Sequence, residues 1–569
     1  MNALNAVNTV SPMDQDNVLA GWILPVATRS PDDQIGVLVA LKGAHATLSG
    51  HVGAGDERAR CSIGNILVIK QGETRTAGIV LEVHVDPNEW NAKSANHVNI
   101  QVELIGEIRD DRFGQPIFYR GVRAYPEMGS MASLIELRDL AAIYTLQEGD
   151  GVQVGSLTLR EDIPAVVNVK KLVSRHFAVV GSTGVGKTTA VALIMKKCLE
   201  ENRQLHMLIL DPHNEYRAHF KDQAVLLNSD NLDLPFWMLR YEELADIIYP
   251  GRPPSPDEAD ALFEAMTYAR VAYANQPRAS AQSSAIRRST AVEASNVNAN
   301  ISADTPVPYR ISDIQKVIDD WLGLLERRYP ITTLRALRAR LDSLGHDPRY
   351  RCMFGKTMVA DNMVEVISTI FRIPKNDRPV TILELGGLPN EVVNALVSVI
   401  GRLAFDIAFM SGGAQEITLI CEEGHRYVPR DPSMGFRPTR LALGRIAKEG
   451  RKYGVSLGVI SQRPAEIDPT LLSQCSTIFA MRLPNEADKE IIKEHLPAYS
   501  SSLCDVLSSM VDREALAFGE AVPTPMRMTF SNHSTGGRPQ DTSPEPAQNT
   551  PQESIARIVS RLRGEHIAH

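Results

Sequence analysis

The run Gly181-Ser182-Thr183-Gly184-Val185-Gly186-Lys187-Thr188 sets glycines, one lysine and one hydroxyl in the pattern Gly-x4-Gly-Lys-Thr, with Thr189 directly after. Those residue types at that spacing suit a polyphosphate. Glycines let successive backbone N–H groups turn inward around an anion. A following helix adds its unpaired N–H groups and its dipole. Lys187 supplies a point charge to the β- and γ-phosphates, and the Thr188 hydroxyl is a ligand for Mg²⁺. The context agrees: the apolar run HFAVV precedes the loop, and the helical stretch Thr189 to Leu199 follows it. ATP with Mg²⁺ is the expected pair of bound species.

Such a loop needs a carboxylate on a neighbouring strand and a base for the attacking water. The run Ile417 to Cys421 ends in Glu422 and Glu423. Glu422 is expected on the Mg²⁺ side, through water, and Glu423 to polarise the attacking water. The alternative is a strand that merely ends in solvated acids. Aspartate is commoner at the first of these two places, so Glu423 carries more of the reading. Gln462, after the strand Val455 to Ile460, is either a sensor of the γ-phosphate or a plain turn residue. Arg445, Lys448, Arg451 and Lys452 form either a solvated basic face or the source of an arginine donated to a neighbouring subunit. Asp211 and Glu215 either reach the metal–water shell or a neighbour's nucleotide, or cap a turn.

These residues require a frame. From about residue 170, β-branched apolar runs alternate with helical segments: Phe177 to Val180, Met207 to Leu210, Val380 to Leu385, Ile417 to Cys421, Val455 to Ser461 and Thr477 to Met481. That alternation predicts an α/β fold with a parallel sheet. The core is expected in two parts, 166–235 and 376–530, separated by a helical insert over 236–375 with a mobile, Ser/Ala/Asn-rich loop at 276–306. Residues 1–165 show short alternating runs between turn residues, which predicts a small β-barrel or sandwich. The Pro/Ser/Thr/Gln-rich segment 531–569 is expected to be disordered, with room for one short basic helix from Ser554 to Arg563.

Composition narrows the class. With 569 residues, the chain exceeds one hydrophobic core. A hydrophobic share of 43% and a charged share of 22% are those of a globular protein. The net charge of −8 argues against a protein coated in DNA, so any positive surface must be local. Aromatics at 6% do not advertise stacking platforms for single strands. The cysteines Cys61, Cys198, Cys352, Cys421, Cys475 and Cys504 form no CxxC pair or zinc-ligand spacing, and read as reduced thiols. No secretory signal pattern opens the sequence. The apolar stretch Val392 to Met410 contains Asn394, Arg402 and Asp406 and reads as a buried helix, not a membrane span. A cytoplasmic location without membrane attachment is expected.

Several segments resemble the HerA branch of the HerA–FtsK ATPases. They are Arg175-His-Phe-Ala-Val-Val-Gly-Ser-Thr-Gly, Asp211-Pro-His-Asn-Glu-Tyr, Leu234-Pro-Phe-Trp-Met-Leu, Glu422-Glu-Gly-His-Arg-Tyr-Val-Pro, Glu449-Gly-Arg-Lys-Tyr-Gly, Ser461-Gln-Arg-Pro and Ala517-Phe-Gly-Glu-Ala-Val. Their order matches as well, over roughly residues 15 to 530. The resemblance implies a HAS-type barrel, a RecA-like core with a helical insert, and a C-terminal brace. It implies a homo-hexamer around double-stranded DNA that is pumped by ATP hydrolysis. It also implies a partner nuclease of the NurA kind, or a sirtuin-like or other effector in anti-phage defence. By position, Lys187 and Thr188 match Walker A, Glu422 and Glu423 match Walker B, Gln462 matches the sensor, and Arg451 matches the trans-acting arginine. Asn214 stands where the family often has Gly, and Gly424 where Ala is usual; neither change removes a chemical group. Two other uses fit the same nucleotide site. One is an ATP-stabilised hexameric scaffold that regulates a nuclease or NADase; the other is a membrane-anchored DNA pump, against which the soluble β-rich start argues. Arg426, Arg430, Arg437 and Arg440 are the candidate channel residues.

Overall fold

The computed structural model describes residues 34–52, 63–85, 96–146, 151–158, 160–275, 301–324, 328–354, 361–374 and 378–531, with Ile555 and Val559. The expected tail therefore lies outside the described residues apart from Ser531, Ile555 and Val559, as does the expected loop at 276–306 up to residue 300. Two compact units divide the chain, 1–143 and 144–569.

In the first unit the strands are β1 (Gln34–Lys42), β2 (His45–Val52), β3 (Ile66–Gln71), β4 (Thr74–His84), β5 (Asn96–Asp110), β6 (Pro116–Arg120) and β7 (Met131–Leu134). They run in the order β2-β1-β7-β3-β4-β5-β6, and β2 also pairs with β5 from His45↔Glu103 to Val52↔Asn96. That pairing closes six strands into a barrel and leaves β6 as an extension. Val98, Ile100, Val102 and Leu104 alternate along β5 into a core with Leu38, Leu48, Leu67 and Val80. Period-2 alternation supplies the lining, and closure removes the free edges.

The second unit holds an 11-stranded sheet. Its strands are β8 (Gly151–Leu157), β9 (Arg160–Asn168), β10 (His176–Val180), β11 (Leu205–Asp211), β12 (Ala224–Leu227), β13 (Val380–Glu384), β14 (Glu416–Cys421), β15 (Val455–Ser461), β16 (Cys475–Ala480), β17 (Glu514–Gly519) and β18 (Met526–Phe530). The order is β12-β13-β11-β14-β15-β10-β16-β17-β18-β8-β9. Pairing is parallel from β12 through β16 and antiparallel beyond. Every residue of β10, β11, β13 and β15 is buried. Such strands read as continuous apolar runs because both faces are covered. One strand, β15, separates β10, which leads into the glycine loop, from β14, which ends at Glu422. This is the RecA-like arrangement.

One boundary differs from the expectation. Residues 151–165, expected in the N-terminal barrel, join 166–168 in the β8–β9 hairpin of the second sheet, where Met528 pairs with Leu157 and Phe530 with Gly155. A short alternating strand looks alike in either sheet, and its partner β18 lies far along the chain.

The insert leaves after β12 and returns at β13. Its helices include Tyr241–Ile248, Pro256–Ala274, Ile311–Gly323, Ile331–His346 and Met363–Phe371. The second begins with a reciprocal cap: Ser255 Oγ accepts the Glu258 N–H, and Glu258 Oε2 accepts the Ser255 N–H at 2.8 Å. Leu262, Leu334 and Leu337 of the insert share one hydrophobic cluster with Val180 and Leu210 of the sheet. The helix Asn390–Met410 is long and apolar enough to cross a membrane, but 83% of its most apolar window is buried inside the protein. Its Arg402 donates to Glu243 Oε2 at 3.0 Å and to the Met238 carbonyl at 2.8 Å. Its Ser398 donates to Glu243 Oε1 at 2.9 Å.

Candidate functional site

The glycine loop leaves the C-terminal end of β10 and enters the helix Lys187–Glu201. Gly184 and Gly186 have φ of +80° and +96°, which side chains rarely adopt. The loop is held on three sides. Gly181 N–H donates to the Ser461 carbonyl at 3.2 Å, Ser182 N–H to the Arg482 carbonyl at 2.9 Å, and Arg513 N–H to the Val185 carbonyl at 2.9 Å. Lys187 Nζ donates to the Ser182 carbonyl at 3.0 Å. Burial lowers the Lys187 pKa, against the opposing charges of Glu422, Glu423 and Glu215.

Around this loop lie the expected partners. Glu422, 4% exposed, stands at the end of β14. Burial pushes its carboxyl up to about 7, helped by Glu423 and Glu215; the hydrogen bond from Tyr216 and the charge of Lys187 pull the other way. Glu423 follows in a left-handed conformation, φ +53°, and is 5% exposed. A non-glycine residue held there stores backbone strain, a frequent mark of functional positions. Among the described residues its Oε2 accepts no hydrogen bond; His425 Nδ1 lies 3.3 Å away, and His213 Nε2 lies 3.8 Å from Oε1. Burial holds the His425 pKa below its ordinary value. A buried carboxylate oxygen without a donor is an unmet acceptor, and such groups in a folded protein call for a functional explanation. Gln462 Oε1 accepts the Thr183 hydroxyl at 2.5 Å, so its amide does reach the loop.

Arg451 is not brought to this site. It lies exposed in the turn Gly450–Lys452 ahead of β15, while the loop follows the far ends of β10 and β15. The seven residues of β15 put about 20 Å between the two ends. Its neighbour Arg445 stacks over the Phe405 ring at 4.0 Å and faces Asp406 at 3.6 Å. In the loop after β14, Arg426 donates to Asn390 Oδ1 at 3.1 Å, and the Arg430 N–H to the Glu466 carbonyl at 2.7 Å.

The turn after β11 proves to be two things at once. Asp211 caps it, accepting the N–H groups of His213 at 3.2 Å and Tyr216 at 2.9 Å. Glu215 instead reaches the loop and accepts the Thr188 hydroxyl at 2.6 Å. Tyr216, fully buried, donates its phenol proton to Glu422 Oε2. Tyr216, Arg482 and Arg513 were not legible as site residues. Arg513 carries φ +66° without being glycine, and no residue type announces that.

The donor set fits Mg²⁺. Among the described residues no group of three or more His, Cys, Asp or Glu side chains could close around a metal. An ion here would use one hydroxyl, one carboxylate through water, and phosphate oxygens, which is how Mg²⁺ accompanies nucleotides.

The family described as the central domain of helicase HerA matches residues 152–404. A DNA double-strand break repair helicase HerA from Pyrococcus furiosus is 27% identical over 67% of this chain and 70% of its own length. The protein of the same description from Saccharolobus solfataricus is 24% identical over 70% of this chain and 72% of its own. Among solved structures, VirB4 of Thermoanaerobacter pseudethanolicus superposes with a TM-score of 0.48 at 17% identity, over 68% of this chain and 98% of that one.

Proposed function

We propose that this chain, which is similar to the HerA-type helicases, is an ATP-hydrolysing, hexameric DNA translocase. The observation that carries the reading is Glu423: a buried carboxylate in a strained turn, one oxygen lacking a donor, beside a loop shaped for phosphate. Lys187 and the N–H groups of residues 183–188 bind the phosphates of ATP. Thr188, and Glu422 through water, would hold Mg²⁺, which would neutralise phosphate charge there. Glu423 orients a water and takes its proton as the water oxygen bonds to the γ-phosphorus and the bond to the β-bridging oxygen breaks, giving ADP and phosphate. Gln462, already joined to Thr183, reports the γ-phosphate to the end of β15.

Arg451 acts across a subunit boundary. Its place at the far end of β15 supports this, because it lies about 20 Å from the glycine loop of its own chain. A ring puts one subunit's Arg451 edge against the next subunit's loop and gives each site the guanidinium that stabilises γ-phosphate charge. A ring also permits an acidic exterior around a basic channel, so duplex DNA is gripped through phosphates regardless of sequence. The relatives described as double-strand break repair helicases support a role in DNA end processing, for which a nuclease of the NurA kind would be the partner. A sirtuin-like or other effector would place the same motor in anti-phage defence. The motor works in the cytoplasm. The test is the steady-state ATPase rate of the purified chain with and without linear duplex DNA, with oligomeric mass recorded in the same buffer. A hexamer stimulated several-fold by DNA is expected. A hexamer indifferent to DNA would sink the translocase reading in favour of an ATP-stabilised scaffold.

A further inference from the structure

We infer that Glu215 and Tyr216, adjacent on the turn after β11, are positioning residues for the magnesium ligands, Glu215 orienting the Thr188 hydroxyl and Tyr216 the Glu422 carboxylate. The inference rests on the reading of residues 181–188 as a magnesium–nucleotide site.

A hydroxyl has one proton and two lone pairs. Thr188 gives its proton to Glu215 Oε2 at 2.6 Å. Its lone pairs are thereby turned away from Glu215 and stay available to a cation, and the carboxylate behind the proton makes the oxygen a better donor. With the proton pointing the other way, Thr188 would oppose a metal. Glu422 has two oxygens, and Tyr216 fixes one of them through a phenol bond to Oε2. A carboxylate tied at one oxygen keeps its plane and presents the other in a defined direction. Partners of this kind set the affinity of metal sites although they never touch the ion.

The turn is built to hold both side chains still. Asp211, 0% exposed, takes the His213 and Tyr216 N–H groups and fixes the turn to the end of β11. Asn214 adopts φ +58°, reversing the chain between His213 and Glu215. Gly386 leaves room for it: a Cβ there would meet Asn214 Nδ2 at 2.8 Å. Two consecutive residues thus serve two ligands that come from different elements, the helix after β10 and the end of β14. The turn is a single part that registers both.

The test uses full-length protein and two metal readouts that do not depend on turnover: Mn²⁺ binding to the ADP complex by electron paramagnetic resonance, and binding of a fluorescent ADP analogue in EDTA and in Mg²⁺. Glu215→Ala should weaken Mn²⁺ binding about 10- to 100-fold. Its nucleotide affinity in EDTA and its melting temperature should stay near wild type. Glu215→Gln, which keeps an acceptor oxygen, should recover most of the loss. Tyr216→Phe keeps the ring and removes only the proton; it should weaken Mn²⁺ several-fold, and it remains decisive if Glu215→Ala does not fold. Wild-type Mn²⁺ affinity in Tyr216→Phe and in any folded Glu215→Ala would overturn the inference. So would equal losses with and without metal, which mark a structural role. A wild-type protein that binds no nucleotide under either condition would overturn the underlying site reading instead.

Discussion

Lys187 sits 9% exposed among Glu422, Glu423 and Glu215, a cation held where three carboxylates compete for it. Lys187→Ala removes the counter-charge to the phosphates and should lower turnover by at least about 10²-fold, read as the steady-state rate of purified protein. Glu423→Gln keeps size and polarity but cannot take a proton. It should bind nucleotide normally and lose about 10²- to 10⁴-fold in turnover; near wild-type turnover would remove Glu423 as the base. His176 is a different case. It is 4% exposed, its Nε2 donates to the Ala447 carbonyl at 3.0 Å, and its Nδ1 accepts the Leu457 N–H at 3.0 Å. Burial lowers its pKa from 6.5 to about 4. The unfolded chain therefore takes up a proton near pH 6.5 while the folded one does not. Stability is full above that pH and falls as the pH drops toward 4, by up to about 3 kcal/mol. The melting temperature of wild type should fall more between pH 7 and pH 5 than that of His176→Asn, and parallel curves would refute the assignment. Lys187, Glu422 and Glu423 were legible because contiguous motifs carry them. Tyr216, Arg482 and Arg513 were not, because each reaches the loop only through folded geometry.

The helix Asn390–Met410 shows what an element must solve when it carries charge through a core. Arg402 meets Glu243 with 11% and 4% of their side chains exposed, and the Met238 carbonyl takes another of its protons. Removing one partner leaves the other buried and unpaired, which costs about 3–5 kcal/mol. Arg402→Ala should therefore lower the unfolding midpoint of the 144–569 unit sharply, whereas Arg402→Met with Glu243→Leu should recover much of it; equal destabilisation by single and double variants would show that the pair does not act as a unit. The apolar runs of β10, β11, β13, β14, β15 and β16 were all readable, since strands buried on both faces advertise themselves by continuous β-branched residues. The β8–β9 hairpin was misplaced, because alternation reports that a strand has one covered face without saying which sheet covers it.

At the scale of the assembled protein, the proposed trans role of Arg451 would make each catalytic site the property of two chains. Arg451→Ala and Glu423→Gln should each be inactive alone. Mixed into one ring, about a quarter of randomly formed interfaces join an intact Glu423 to an intact Arg451. ATPase activity should return toward that fraction, and its absence from rings proven to be mixed would refute action in trans. The sheet has a consequence for the birth of the chain. Thr158 and Thr529 meet across β8 and β18, 371 residues apart. At ribosomal speeds of about 5–20 residues per second, β8 waits roughly 20 to 70 seconds for its partner. The barrel before it can close as soon as residue 143 is out. The hairpin, by contrast, spends that interval with an open edge, which is the condition that invites mispairing between nascent chains. Ribosome-bound chains halted before residue 526 should keep a protease-resistant barrel and a cleavable remainder. The unfinished sheet is thus a place where chaperones that cover open edges would act while the chain is being made.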